Sequence, residues 1–569
     1  MPEPPTSRSP PDSRDPPGTS GPCTDRAPRA LPGALLEPST YPHPADDLEL
    51  RETLISWIAL AGDYAYKLKK PLRFEFLDYS TPALRRVACA VELQLNRRWA
   101  PTLYLGLSRL VVRDGRPRFV DVPEAEAQAF ADAPHGGSAD GADAGDAGRV
   151  VADDDGEYAV RMRRFAAGAE LDALVRAGDA TPAELRRFGA DVAAWQACAP
   201  RDPPAAELGA PAVVLGAARD NFATLHAPGT PLARARIDAL ERWTVAEYAR
   251  LAPFLGARRD AGRVRECHGD LHARNVVRDG GRLTAFDGIE FDAKLRWIDV
   301  ASDAAFLVMD LYRLARPELA CAFLDGWLEA SGDHEAGDGL RWWLAYRALV
   351  RAKVDALRAA QVPGTAEALA DWRECERLVA LAEDFAHRPP GALYVTVGPS
   401  GSGKSWLAAR LADTLPALRI RSDVERKRLA GLARDARSGS PIDAGIYAAE
   451  LTSRTYARLQ RAALALAAAG FDVLVDATFL ERAHRDALAT AATAHGIRHA
   501  WLACDAPPAT LRARVSTRRG DPSEATLEVL ERQLARRAPL TAMERAHAIR
   551  VDTGGDVDVA AVAAALRAA

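Results

Sequence analysis

Gly398-Pro399-Ser400-Gly401-Ser402-Gly403-Lys404-Ser405 follows the apolar run Leu393-Tyr394-Val395-Thr396-Val397 and precedes a helical pattern from Trp406 to Leu415. A buried strand, a glycine-rich turn and a helix in that order decide the fold of this region. Glycines at 398, 401 and 403 let backbone N–H groups turn inward, Ser400 and Ser402 lying between them, and the helix N-terminus behind adds positive potential. Such a hollow cradles phosphates. Lys404 is placed to reach the β- and γ-phosphates of a nucleotide, and Ser405 to ligate magnesium. The stretch is a complete P-loop.

Downstream, strands and helices alternate to the C-terminus, as a parallel α/β sheet requires. Phe471-Asp472-Val473-Leu474-Val475-Asp476-Ala477-Thr478 reads as the second phosphate strand, with Asp476 near the metal. No Glu follows Asp476, so the water-activating residue of many hydrolysing ATPases is missing. Arg421-Ser422-Asp423-Val424-Glu425-Arg426 follows a strand over Leu418 to Arg421. Its place resembles that of the acceptor-binding Asp in small-molecule and polynucleotide kinases, which makes Asp423 a catalytic candidate. A plainer reading competes: Ser422 and Glu425 have the spacing of a capping box, with Asp423 merely supporting it. Arg512, Arg514, Arg518 and Arg519 resemble a lid that brings guanidinium groups onto a transferring phosphate. Arg514 and Arg518, four apart on one helical face, are the stronger pair, and Arg485 is a weaker candidate.

A second signature lies upstream. His268-Gly269-Asp270-Leu271-His272-Ala273-Arg274-Asn275 is followed by Phe286-Asp287-Gly288 after a strand from Arg282 to Phe286. Phosphoryl transfer requires a held nucleotide, a divalent metal and an acceptor oxygen in line. Asp270 offers a carboxylate to which an acceptor hydroxyl can pass its proton. Asn275 offers a neutral oxygen to a metal, and Asp287 a hard anionic one.

This block resembles the aminoglycoside phosphotransferase (choline kinase-like) family, whose catalytic loop reads H-G-D-x-x-x-x-N. Trp297-Ile298-Asp299-Val300-Ala301-Ser302-Asp303 looks like that family's loop-bracing segment. The resemblance extends from about residue 45 to 380. It implies that Lys67, in Ala65-Tyr66-Lys67, grips the α- and β-phosphates, with Glu92 in the following helix as its ion-pair partner. Lys69 and Lys70 are near rivals. Only Gly62, and no G-x-G-x-x-G loop, precedes Lys67. The order of parts along the whole chain resembles bacterial fusions of an aminoglycoside phosphotransferase-like domain to a P-loop kinase-like domain.

Length and composition agree with more than one domain. The chain has 569 residues, 48% hydrophobic and 27% charged, which exceeds what one hydrophobic core serves. Residues 1–29 are Pro-rich and expected to be a disordered tail. Residues 30–387 are assigned to a protein-kinase-like, bilobal α+β domain, with a flexible acidic insertion over 133–155. His387-Arg388-Pro389-Pro390-Gly391 breaks a helix, so 388–391 reads as a linker, and 392–569 as a P-loop NTPase α/β domain with a parallel sheet. The expected fold class is therefore α/β multidomain. Leu54 to Leu60 and Tyr64 to Leu68 read as a hairpin, Thr81 to Arg98 as a helix, and Glu170 to Cys198 as two helices. Trp343, Tyr346, Val350, Val354 and Leu357 form a helical stripe expected to pack in the core.

Seven scattered cysteines without a C-x-x-C pair read as reduced thiols in a cytoplasmic protein. No apolar run is long enough to cross a bilayer, and no signal peptide stands at the start. A net charge of −4 gives no general attraction to nucleic acid or membrane. The sequence thus leads to ATP and Mg2+ as cofactors and small-molecule acceptors as partners, with the oligomeric state open. Two active phosphotransferase sites are the leading expectation. A single active kinase carrying an ATP-binding regulatory module, or a nucleic-acid end kinase, are the alternatives.

Overall fold

The computed structural model describes residues 31–74, 77–132, 156–201, 203, 205–434, 436–438, 445–517 and 525–568. The tail expected over 1–29, the insertion expected over 133–155, and Arg518 with Arg519 lie outside the described residues. The chain divides into two compact units, Met1–Arg97 with Pro101–Arg164, and Arg98–Ala100 with Phe165–Ala569. The break at 388–391 falls inside the second unit, because the helices before it pack on the sheet after it.

In the first unit, alternating apolar residues build a six-stranded antiparallel sheet. Its strands are β1 (Leu48–Glu52), β2 (Ser56–Ala61), β3 (Tyr64–Lys69), β4 (Tyr104–Arg113), β5 (Arg116–Asp121) and β6 (Glu157–Arg163), in the spatial order β1-β2-β3-β6-β4-β5. Gly62 and Asp63 form the two-residue turn between β2 and β3, Gly62 at a φ of 56°. Ala59, Ala61, Tyr66, Leu68, Phe119 and Ala159 share one core with Leu35 and Tyr41. Ala65, Lys67 and Lys69 alternate onto the opposite face of β3. Helix α1 (Pro82–Asn96) begins where the sequence placed it: Thr81 accepts a hydrogen bond from the Leu84 N–H, and Pro82 occupies the first turn.

The second unit opens with helices over Leu171–Ala177 and α2 (Pro182–Cys198), separated by Gly178 in the left-handed conformation. A capping box of Thr181 and Glu184 starts α2. A short hairpin follows, β7 (Val276–Asp279) with β8 (Arg282–Ala285). Helices α3 (Val300–Arg313), α4 (Pro317–Ser331) and α5 (Gly337–Gln361) complete the body, with Ala366–His387 packed along α5. Glycines let α2 and α4 touch through their backbones. A Cβ on Gly326 would stand 1.9 Å from the Arg186 carbonyl oxygen, and one on Gly189 2.1 Å from that of Phe323. Gly326→Ala must therefore push the helices apart, at a cost of about 1–3 kcal/mol. A thermal melt of the full chain should show a lower midpoint; an unchanged midpoint would contradict this packing.

The stripe expected on α5 is only partly buried. Trp343 is inside, but Val354 and Leu357 are exposed. The buried face instead carries Leu344 and the small residues Ala348, Ala352, Ala356 and Ala359, which let the next helix approach closely. Alanine scarcely registers in a hydrophobic pattern, which is why the stripe was drawn too far toward the larger side chains.

Beyond the Pro389-Pro390 break, five strands form a sheet that is parallel throughout. They are β9 (Leu393–Val397), β10 (Ala417–Arg421), β11 (Asp472–Asp476), β12 (His499–Asp505) and β13 (Ala548–Asp552), in the order β10-β11-β9-β12-β13. Helices α6 (Lys404–Thr414), α7 (Ser422–Leu429), α8 (Ala449–Ala468), α9 (Pro508–Thr517) and α10 (Leu527–Arg536) accompany it. The phosphate loop thus leaves the carboxyl end of the central strand, where open α/β sheets bind ligands.

Two polar clusters join the helical body to this sheet. Asp325 on α4 accepts from the Arg419 N–H at 2.7 Å on the edge strand β10. It also pairs with Arg186, which reaches Asp413 at 2.9 Å. Glu425 on α7 is buried among Arg428, Arg458 and His334. Burial would raise its carboxyl, but those cations outweigh it and hold the group below its usual range.

Candidate functional site

The phosphate loop is built as the sequence dictates. Gly403 caps α6 in the left-handed conformation, φ 75°, and a Cβ there would lie 3.0 Å from the Thr553 side chain. Lys404 is buried, and its Nζ donates to the Pro399 carbonyl at 2.7 Å. Ser405 donates to Asp476 Oδ1 at 3.1 Å. A hydroxyl and a carboxylate side by side next to Lys404 are a suitable donor set for magnesium. Burial pushes the Asp476 carboxyl up, while Arg419, Arg421 and Lys404 pull it back.

Lys404, Ser405, Asp423, Asp476 and Arg514 all line one cavity of about 760 Å3. Ser400, Gly401 and Gly403 also border it. Ser402 is buried in the loop behind, and Gly398, at its start, donates to the Thr478 carbonyl at 3.0 Å. The capping box weighed for Ser422 and Glu425 does not form. The residue before α7 is Arg421, with no side-chain cap, and Glu425 turns into the buried cluster with His334. Asp423 is left facing the cavity.

Arg514 donates to the Gly401 carbonyl at 3.3 Å and to both oxygens of Thr553. Its partner in the expected lid, Arg518, lies outside the described residues. Arg485 plays a different part from the one considered for it. It is fully buried, paired with Glu544 at 2.6 Å, and donates to the carbonyls of Phe479 and Leu480. It fastens the chain just after β11 and does not border the cavity.

Two cavity residues escaped the sequence reading. Thr553, after β13, accepts from Arg514 and donates toward the Ser402 carbonyl at 3.0 Å. Gln533 on α10 accepts the Ser400 N–H at 2.7 Å through its side-chain oxygen, on the loop that is to cradle phosphate. Neither carries a motif, and both reach the loop from more than a hundred residues away.

The His268–Asn275 loop is braced from beneath by α3. Asp303 accepts from the backbone N–H groups of Gly269 at 3.0 Å and His268 at 3.4 Å, as the bracing segment implied. Asp310 accepts from the Ala273 N–H at 2.9 Å, and Arg347 on α5 donates to the Gly269 carbonyl at 3.3 Å. These last two also went unread. Arg313, Arg351 and His272 overcome the effect of burial on Asp310 and bring its carboxyl down to about 2.

Asp270 and Asn275 meet: Asn275 Nδ2 donates to Asp270 Oδ2 at 3.0 Å, which leaves the Asn275 oxygen for a metal. Burial would raise Asp270, but His272, Arg351 and His268 reverse this and hold it well below the usual carboxylate range. Asp287 has a left-handed φ of 61°. Such a conformation needs support, and His268 supplies it on both sides. His268 Nε2 lies 2.9 Å from the Phe286 carbonyl, and the His268 carbonyl accepts from the Ile289 N–H at 3.0 Å. Burial lowers the His268 pKa, against the pull of Asp303, Asp270 and Asp287.

Lys67 and Glu92 belong to the first unit. Lys67 Nζ stands 2.8 Å from Glu92 Oε1, and Lys69 Nζ 2.5 Å from Oε2. Glu92 is wholly inaccessible, at 0% exposure. The expected pair is thus a triad of two ammonium groups on one carboxylate, with a formal surplus of one positive charge. Glu92→Gln would leave both cations facing a neutral amide, and a loss of about 3–5 kcal/mol is expected. Urea unfolding of the variant should show an earlier midpoint; an unshifted midpoint would contradict the triad.

Residues 393–540 match a family model described as an AAA domain. An uncharacterized protein of Mycobacterium tuberculosis (strain ATCC 25618 / H37Rv) is 29% identical over 517 residues, spanning 90% of this chain and 94% of the relative. An uncharacterized protein of Mycobacterium bovis matches over the same span with the same identity. Among solved structures, a sugar kinase from Janibacter sp. HTCC2649 aligns with 32% of this chain and 94% of its own, at 22% identity and a TM-score of 0.25. A choline/ethanolamine kinase family protein from Mesorhizobium loti aligns with 59% of this chain and 92% of its own, at 12% identity and a TM-score of 0.31. Among the described residues, no helix is long and apolar enough to cross a membrane.

Proposed function

We propose that the chain is an ATP- and magnesium-dependent phosphotransferase that phosphorylates hydroxyl groups of small metabolites at two sites, one centred on Lys404 and one on Asp270. The observation that carries this reading is the common cavity in which Lys404, the Ser405–Asp476 pair and Asp423 meet. Lys404 would exchange the Pro399 carbonyl for nucleotide phosphate, and Asp423 would orient the acceptor hydroxyl toward it. Arg514 and Arg518 would gather around the transferring group. On the resemblance to the aminoglycoside phosphotransferase family, Lys67, steadied by Glu92, would hold the α- and β-phosphates. Asp270, a weak base because its carboxyl is held so low, would orient the acceptor hydroxyl and accept its proton only as the new O–P bond forms. Ser405 and Asp476 in one site, and Asn275 and Asp287 in the other, would hold magnesium, whose charge would offset that of the nucleotide phosphates.

A second reading has its own observation. The helix that carries Asp423 is held to the helical body through the buried Glu425 cluster. On that reading the first site senses ATP and the P-loop site alone catalyses. ADP release by the full chain against sugars, amino alcohols and nucleosides separates the two. With two independent active sites, Asp270→Ala removes one set of acceptors and Lys404→Ala another. With a regulatory module, Lys404→Ala removes them all.

A further inference from the structure

Beside the nucleotide-side cavity lies a smaller one of about 180 Å3, which shares Arg426, Tyr447 and Tyr456 with it. Arg426 sits three residues after Asp423 on α7, hence on the same helical face, about 5–6 Å away. Its side chain is only 8% exposed. Nη1 donates to the Ile446 carbonyl at 2.9 Å and to Thr452 Oγ1 at 2.8 Å, while the buried Nε has no hydrogen-bond partner among the described residues. The guanidinium lies 5.3 Å from the Tyr447 ring centre and pairs with no carboxylate among the described residues. A buried cation without a counter-charge is costly, and so is a buried donor left unmade.

The rest of the smaller cavity has the same sign. Arg532 and Arg536 from α10 line it, and among the described lining residues the one carboxylate is Glu481. Arg532 also reaches Glu528 at 3.3 Å. His484 is stacked on Tyr456 at 3.8 Å between ring centres, and burial lowers its pKa. Glu329 on α4 pairs with Arg434, and Glu425 on α7 with Arg458.

We propose that the P-loop site takes an anionic acceptor, a small hydroxylated compound whose carboxylate or phosphate group binds Arg426 while its hydroxyl meets Asp423 one helical turn away. Arg532 and Arg536 close the cationic subsite from α10, and the ring of Tyr456 supplies an apolar wall. This rests on the P-loop site being a phosphotransferase and adds the charge of its substrate. Neutral sugars and cationic amino alcohols leave Arg426 without an anionic partner and are poor acceptors.

The test is the part of ADP release by the full chain that Lys404→Ala abolishes, measured with two matched pairs: a sugar monophosphate with its parent sugar, and an aldonate with its alditol. One acid should exceed its neutral partner in kcat/KM by ~10-fold or more, as a charge-assisted hydrogen bond supplies, and the pair showing the gap tells phosphate from carboxylate. Arg536→Ala, at an exposed position, should raise KM for the acid several-fold and leave KM for ATP unchanged. Arg426→Lys, which keeps the charge but not the fork, should shrink the preference. Neutral partners turned over as well as the acids, or a preference untouched by both substitutions, would overturn the proposal. Should ADP release with every one of these acceptors persist in Lys404→Ala, none of it belongs to the P-loop site and the phosphotransfer reading of that site fails on its own. The anionic subsite is then judged by calorimetric titration of the same four compounds into protein loaded with a non-hydrolysable ATP analogue and magnesium. Heats at millimolar concentration from an acid and not its neutral partner would support it; equal or absent heats would overturn it.

Discussion

Lys404→Ala is expected to reduce phosphoryl transfer at the P-loop site by about 10²–10³-fold or more, the scale on which a single preorganised charge acts in a dry site. The expectation follows from where the amine sits. It is buried on the wall of the large cavity, at the N-terminus of α6, and its hydrogen bond to the Pro399 carbonyl folds it back over the loop. A phosphate in the loop is the stronger partner, because the bond is then charge-assisted on both sides. The fold should survive the change. The loop is held independently by Thr553 on the Ser402 carbonyl and by Arg514 on the Gly401 carbonyl. Steady-state ADP release together with a thermal melt checks both halves. A variant that melts normally yet keeps activity within a few-fold of the parent would remove Lys404 from the mechanism.

Asp270→Asn is the second large effect, about 10²–10⁴-fold on the activity of the first site, with the P-loop activity unchanged. The substitution keeps the shape and removes the acceptor for a hydroxyl proton. It also weakens the clasp with Asn275, whose Nδ2 donates to the Asp270 carboxylate. Backbone placement should persist, since Asp303, Asp310 and Arg347 hold the loop through its main chain. The pH profile carries an independent signature. A carboxyl held well below its ordinary pKa of about 3.9 stays ionised throughout the accessible range. Lowering the pH from 7 to about 5 should therefore cost this site nothing on account of Asp270. An acid limb near pH 5 that disappears in the variant would contradict that assignment.

What the sequence made legible was local. A strand, a glycine loop and a helix specify one another over a dozen residues, so β9, the loop and α6 could be read before any packing was known. The same holds for Thr81 before α1 and Gly178 between two helices, where one residue sets the boundary. Asp303 was legible because it lies in a motif. Asp310, seven residues on in the same helix, does similar work on Ala273 but has no pattern around it. Thr553 and Gln533 come to the loop through the order of strands in the sheet, which a linear reading does not contain. Lys69 shares Glu92 with Lys67 because both point to one face of β3; the alternation was visible, but the single-partner expectation hid it. The proline break at 388–391 was plain as a loss of helical pattern. Nothing in composition told that Asp325, Arg186 and the Glu425 cluster would tie the two sides of that break together.

The central claim is that one chain carries two nucleotide sites of different construction. Equilibrium dialysis of the full-length protein against a non-hydrolysable ATP analogue with magnesium measures this directly. The account predicts two molecules bound per chain, falling to one in Lys404→Ala and, separately, to one in Asp287→Ala. A single molecule per chain in the unaltered protein, or a stoichiometry of two that neither substitution reduces, would contradict it.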